Sequence, residues 1–177
     1  MKHFGKALVC IVCIATLAGC GPKREERVAD IEKMEASLSA TGIAPDDSAA
    51  MELISRYRDF AKEFSKDSLA PVYLQRAADM SIGIGRADEA VGLLDTVITM
   101  YPEYDDVAGC WFLKGYAFET AGRYDEAREA YIYFADTYPE HYLADDTRKS
   151  IPYVGMSAEE MFEAIMNAAG NWPLDGE

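Results

Sequence analysis

The chain has 177 residues, half of them apolar, and 31 Asp and Glu against 17 Lys and Arg give it a formal charge of −14. That is enough apolar material for one or two domains with a real core and no covalent staples. The acidity argues against nucleic acid and against a broad electrostatic dock on anionic lipid, because both require clustered Lys and Arg; it leaves a basic partner open.

Residues 1–19 have the layout of a secretory signal. Lys2 and Lys6 supply a positive start, and the apolar run from Ala7 to Ala18 is too short to span a bilayer as a mature helix. The run ends in Leu17-Ala18-Gly19-Cys20. This ending resembles the bacterial lipobox. The resemblance implies cleavage between Gly19 and Cys20, diacylglycerol on the Cys20 thiol and acylation of the new amine by a palmitate-type chain. An ordinary signal peptide with an incidental cysteine is the alternative. The signal would take two of the 17 basic residues and none of the 31 acidic ones, deepening the net charge to −16. Cys10 and Cys13 would leave with it. Only Cys110 would then remain as a thiol, and no intramolecular disulfide could form. Beside Trp111 in an apolar stretch, Cys110 reads as a buried thiol rather than a nucleophile.

Residues 20–27 read as a solvated tether, with Glu25 and Glu26 offsetting Lys23, Arg24 and Arg27 against any headgroup contact. The helical domain is expected over residues 28–169. Val28, Ile31, Met34 and Leu38 recur at helical spacing and predict a helix over 26–40. A loop follows over 41–45. Asp46-Asp47 then opens a second helix whose residues Ala50, Leu53, Ile54, Tyr57, Phe60, Ala61 and Phe64 form one buried face. Four helices near 70–84, 87–100, 106–121 and 124–137 make two hairpins. Ala78, Gly115, Ala90 and Ala127 are small where paired helices must approach closely, and Leu94 and Tyr131 lie four residues beyond the last two, on the same face. Gly85 and Gly122 suit left-handed caps after the first helices, and Pro102 and Pro139 close the second ones. A shorter helix over 142–150 is expected to stop before Pro152. Ser157 and Glu160 form a capping box for a last helix over 157–169, with Gly170 as its cap and 170–177 as a tail. Met161, Phe162, Ile165 and Met166 share a face on that helix. Its expected role is to cover the open end of the last repeat; a partner-binding helix is the alternative.

Internal repetition organises these elements. Gly85-Arg86-Ala87-Asp88-Glu89-Ala90 matches Gly122-Arg123-Tyr124-Asp125-Glu126-Ala127, and Met100-Tyr101-Pro102-Glu103 matches Thr137-Tyr138-Pro139-Glu140, both at an offset of 37 residues. One more step back reaches Ser48, Leu53, Tyr57, Phe60 and Phe64-Ser65-Lys66, which keep size and polarity without the Gly and Pro. A fixed period in this range indicates a solenoid, here with units near 28–66, 70–103 and 107–140. The third unit resembles a tetratricopeptide repeat (TPR): Trp111, Gly115, Phe118, Gly122, Tyr124, Ala127, Tyr131 and Pro139 fall at that family's W, G, Y, G, Y, A, F and P positions. Lys114 stands where the family has Leu, and Phe134 where it has Ala. The second unit matches through Leu74, Ala78, Gly85, Ala87, Ala90, Leu94 and Pro102, with Ser81 in place of an aromatic. The period is longer than the standard 34. In this it is similar to periplasmic TPR proteins, including the TPR lipoprotein of the β-barrel assembly machinery, although that family usually has more repeats. The resemblance covers roughly residues 48–141 and implies an all-α, right-handed TPR-like solenoid of about three helix pairs with C-terminal capping helices. It also implies a concave groove lined by first helices: Val72, Gln75, Asp79 and Ile82 in one unit, and Phe112, Tyr116 and Glu119 in the next. Phe112 and Tyr116 could equally pack between units.

No catalytic pattern stands out. His141 is the single histidine after the signal, and neither a metal-ligand spacing nor a nucleophile elbow accompanies it. Gly83-Ile84-Gly85 has no third glycine for a dinucleotide loop. Asp46-Asp47, Asp105-Asp106 and Asp145-Asp146 lie at helix starts, where carboxylates cap amides, and none has the spacing of a calcium loop. The expectation is a non-enzymatic protein without metal or cofactor: a lipid-anchored adaptor that holds a protein or peptide in an envelope complex, with outer-membrane protein assembly suggested by the resemblance. The competing readings are a self-associating structural subunit and, less favoured, an envelope hydrolase. Gly21 rather than Asp follows Cys20, which points to the outer membrane, facing the periplasm.

Overall fold

The computed structural model describes residues 23–40, 42 and 45–170. The signal, Cys20, loop residues 41, 43 and 44, and the tail after 170 lie outside the described residues. Among those described there are eight α-helices and no strand: α1 (Arg24–Ser39), α2 (Asp47–Glu63), α3 (Leu69–Gly83), α4 (Ala87–Met100), α5 (Val107–Thr120), α6 (Tyr124–Thr137), α7 (Ala144–Ser150) and α8 (Ala158–Gly170). A 3-10 turn, Ile151–Tyr153, extends α7 through Pro152, past the expected stop. Each of α1 to α6 packs on the next helix in the chain, α6 packs on α7, and α3 also touches α5.

The 37-residue period is visible in the backbone. Phe64, Tyr101 and Tyr138 cap α2, α4 and α6 with nearly the same dihedrals: φ −119, −130 and −124°, ψ 49, 57 and 58°. The same turn follows each time. The amides of Asp67, Tyr104 and His141 donate to the carbonyls of Phe64, Tyr101 and Tyr138 at 2.9, 3.0 and 3.0 Å, and Ala70, Val107 and Ala144 continue the series. Gly85 and Gly122 sit at φ +73 and +72°. At each, the following Arg amide reaches back to Ser81 or Phe118, at 2.8 and 2.9 Å, in a Schellman closure. By this register α7 occupies the place of a first helix in a fourth unit, cut short after seven residues.

The predicted close-approach positions are all buried: Ala78, Ala90 and Ala127 at zero exposure, and Gly115 against the ring of Tyr131. Leu53, Phe60, Leu94, Val97 and Cys110 centre the largest part of the core, which runs from α1 to α5. Tyr73 joins α2 to α3, stacked on Tyr57 at 5.2 Å and edge-on to Phe60 at 4.8 Å. Two residues that depart from the TPR pattern have evident roles. Lys114 lies 5.1 Å over the Trp111 ring and bonds Asp95 at 2.6 Å. Phe134 is fully buried between Phe112, Tyr138 and His141.

Two expectations are corrected. Residues 24–27 are the first turn of α1 rather than a tether. Arg24 makes a two-pronged pair with Asp67, one arm at 3.1 Å, and Arg27 pairs with Glu63 at 3.2 Å. Further along α1, Asp30 meets Arg56 at 2.5 Å, and Glu35 takes bonds from Arg76 at 2.7 Å and from the Tyr57 hydroxyl at 2.5 Å. Charges that look solvated in sequence have partners that only folding brings near. The second correction concerns the end of the domain. Val154 is buried with Phe118, Ala127, Ala130 and Tyr131, and its carbonyl accepts from Arg128 at 2.7 Å. Arg148 bonds the Ala135 carbonyl at 2.8 Å. Thus α7, the 3-10 turn and Val154 close the last unit. Helix α8 does not: Met161, Phe162, Ile165 and Met166 are exposed.

Candidate partner-binding groove

The seven proposed groove residues fall on α3 and α5, the first helices of two successive units. The structure separates them into four groups. Asp79 is exposed, with no hydrogen bond or ion pair among the described residues, and Tyr116 is 44% exposed. These two face solvent. Val72 is half-buried and lines an open cleft of about 580 Å³ with Pro71, Met100, Tyr101 and Tyr104.

Gln75, Phe112 and Glu119 already have work inside the protein. The Gln75 amide donates to Asp106 Oδ2 at 2.6 Å, and the Tyr104 hydroxyl donates to Gln75 Oε1 at 2.5 Å. Gln75 therefore latches α3 to the turn that leads into α5. Burial, together with nearby Asp106, pushes the Tyr104 hydroxyl up to about 12, so it stays a donor at any physiological pH. Phe112 packs at 5.6 Å on Tyr131 and 5.7 Å on Phe134, within its own helix pair. Glu119 accepts from the Tyr131 hydroxyl at 2.8 Å. Burial raises that hydroxyl's pKa, and the bond to Glu119 raises it further.

Ile82 does not belong to the groove. It is 7% exposed and sits in the core. It lies four residues after Ala78 and shares that residue's inward face. Arg76 takes the outward position instead, 5.8 Å from the Tyr73 ring and paired with Glu35. The expected set without Lys or Arg thus acquires a guanidinium at its edge, which sequence spacing did not indicate.

The cleft beside Val72 was also missed. The segments 65–68 and 101–105 meet across it, and the Tyr101 hydroxyl donates to the Ser65 carbonyl at 2.9 Å. The signal for it was present: Phe64-Ser65-Lys66 is the repeat counterpart of Tyr101-Pro102-Glu103. Stacked units bring equivalent turns together, so equivalent turns frame one cleft.

The remaining candidates have structural roles. Cys110 is fully buried, and burial with a contribution from Asp106 pushes its thiol up to about 12. Such a thiol stays protonated at neutral pH, which disfavours nucleophilic attack. His141 packs edge-on to Phe134 at 5.1 Å, and its Nδ1 accepts from the Leu143 amide at 3.3 Å. Of the acidic pairs, only the first caps as expected, with Asp46 Oδ1 taking the Ala49 amide at 2.8 Å. Asp106 serves Gln75, while Asp145 and Asp146 pair with Arg148 and Lys149 at 3.0 and 3.2 Å.

No known protein family, curated protein or solved structure matches this chain.

Proposed function

We propose that this protein is a TPR-like lipoprotein, a right-handed superhelix held by acyl chains on Cys20 at the periplasmic face of the outer membrane, where it acts as a non-enzymatic adaptor. One observation carries the reading: the same cap and turn recur every 37 residues, and they leave Asp79 and Tyr116 exposed on the first helices of neighbouring units. Val72 beside its cleft adds an apolar subsite. A segment with apolar side chains and a basic group suits this surface, since Asp79 offers a free carboxylate and Tyr116 an aromatic face. The envelope setting and the link to outer-membrane protein assembly rest on the signal ending and the repeat resemblance.

The test is partner capture from detergent-solubilised membranes of the producing cell. Tyr116→Ala and Asp79→Lys are expected to weaken capture with helical content unchanged. Truncation of an aromatic anchor commonly costs about 2 kcal/mol or more. Full capture by both variants, with loss on changing exposed residues of α4 or α6, overturns the groove assignment.

A further inference from the structure

Among the described residues, helix α8 leaves its apolar face exposed. It is also built to start without help. The Ser157 amide donates to Glu160 Oε2 at 2.7 Å, and the Glu160 amide donates to Ser157 Oγ at 3.2 Å, which completes the capping box. The chain reaches it through Gly155, at φ +83°, immediately after Val154, the last buried residue among those described. Its outward stripe is Met161 at 37%, Phe162 at 65%, Ile165 at 48% and Met166 at 54% exposure. These are positions i, i+1, i+4 and i+5, the face that an amphipathic helix lays into a groove. A helix of 13 residues is marginal on its own in water, so a stripe of this size calls for a cover.

Charge decides between the covers. Glu159 and Glu163 border the stripe on its Met166 side, Glu160 lies opposite, and the sequence of α8 contains no Lys or Arg. A helix that lies on a membrane carries Lys or Arg on its polar face, whereas anionic headgroups repel this one. A second copy would set the same glutamates against each other in a chain of charge −14. The chain's own outer surface near α3 and α5 offers the Asp79 carboxylate, and the neighbouring Arg76 guanidinium is already paired with Glu35. The end of the last unit is already filled by Val154.

We infer that α8 is a helical ligand: it docks Met161, Phe162, Ile165 and Met166 into an apolar groove, rimmed by Lys and Arg, on a different protein. Two flexible methionines let the stripe adapt to such a floor. This surface is independent of the α3 and α5 groove, so the protein would both receive a segment and present one.

The experiment uses the full chain in its producing cell, with photoreactive benzoylphenylalanine placed at position 162, at 165, or at 167 on the opposite face. Positions 162 and 165 are expected to give one discrete heterologous adduct, and position 167 none. The crosslinked peptide should map to an apolar groove with neighbouring Lys or Arg. Adding Glu159→Lys and Glu163→Lys should cut the yield several-fold while the melting temperature stays unchanged, because α8 lies outside the core. Adducts of twice the chain's mass, adducts with lipid alone, equal labelling from 162 and 167, or no adduct each overturn the inference. The same reagent at position 116 reports on the α3 and α5 groove separately.

Discussion

Gly115 on α5 lies where a side chain has no room. A Cβ there would stand 2.5 Å from Tyr131 Cδ1, 2.6 Å from Cε1 and 3.1 Å from Cγ. The ring cannot swing away cheaply: it is 4% exposed, packs on Phe112 and is tied through its hydroxyl to Glu119 at 2.8 Å. Gly115→Ala gains about 1 kcal/mol of helix propensity and loses about 1–3 kcal/mol to overpacking, so the net change is destabilising. Gly115→Leu falls at the upper end, a drop of about 5–10 °C for a domain of this size. Gly92 on α4 is the control. It is exposed and a Cβ there meets nothing within 4 Å, so Gly92→Ala should stabilise by about 0.5–1 kcal/mol. The second unit holds the natural compensation, because Ala78 and Leu94 occupy the places of Gly115 and Tyr131. In a double-mutant cycle, Gly115→Ala with Tyr131→Leu should cost less than the sum of the single changes. Thermal and urea unfolding followed by circular dichroism measure all five variants. A Gly115→Ala protein that melts above the parent, as is expected of Gly92→Ala, would refute the repeat register.

Three further outcomes are expected. The Arg24 guanidinium holds the Asp67 carboxyl below its ordinary value of 3.8. The pair's contribution is therefore full above that pH and is lost as pH falls below it. Asp67→Asn should lower the melting temperature at pH 7, and the gap from the parent should close on acidification; a gap independent of pH contradicts the pairing. Cys110, buried and with its thiol pushed up to about 12, should resist a maleimide at pH 8 in the folded protein and react in urea, as read by peptide mass spectrometry. Rapid native labelling contradicts the packing. Cys20→Ser should abolish incorporation of radiolabelled palmitate and change the protein's membrane fractionation, because the variant loses the acyl chains that supply multi-chain anchoring.

Local and tandem features were legible in the residues themselves. The boundaries of α2 to α6 fall within about a residue of those expected from periodicity and caps, because an i, i+4 pattern, a capping Asp or a left-handed Gly acts within one turn of chain. Gly85, Gly122, Ala78, Ala90, Gly115 and Ala127 declared themselves by repeating. What spacing could not supply was any relation between residues far apart in sequence. Arg24 looked solvated until folding brought Asp67 to it across 43 positions. Gln75 looked free until Tyr104 and Asp106 closed on it. Ile82 looked outward, but its place beside Ala78 turned it into the core. The apolar face of α8 was plain in sequence, yet it is left exposed. Periodicity states that a face must be buried; which surface lies against it is a matter of three-dimensional packing, and here α7 and Val154 filled the end of the last unit before α8 was reached.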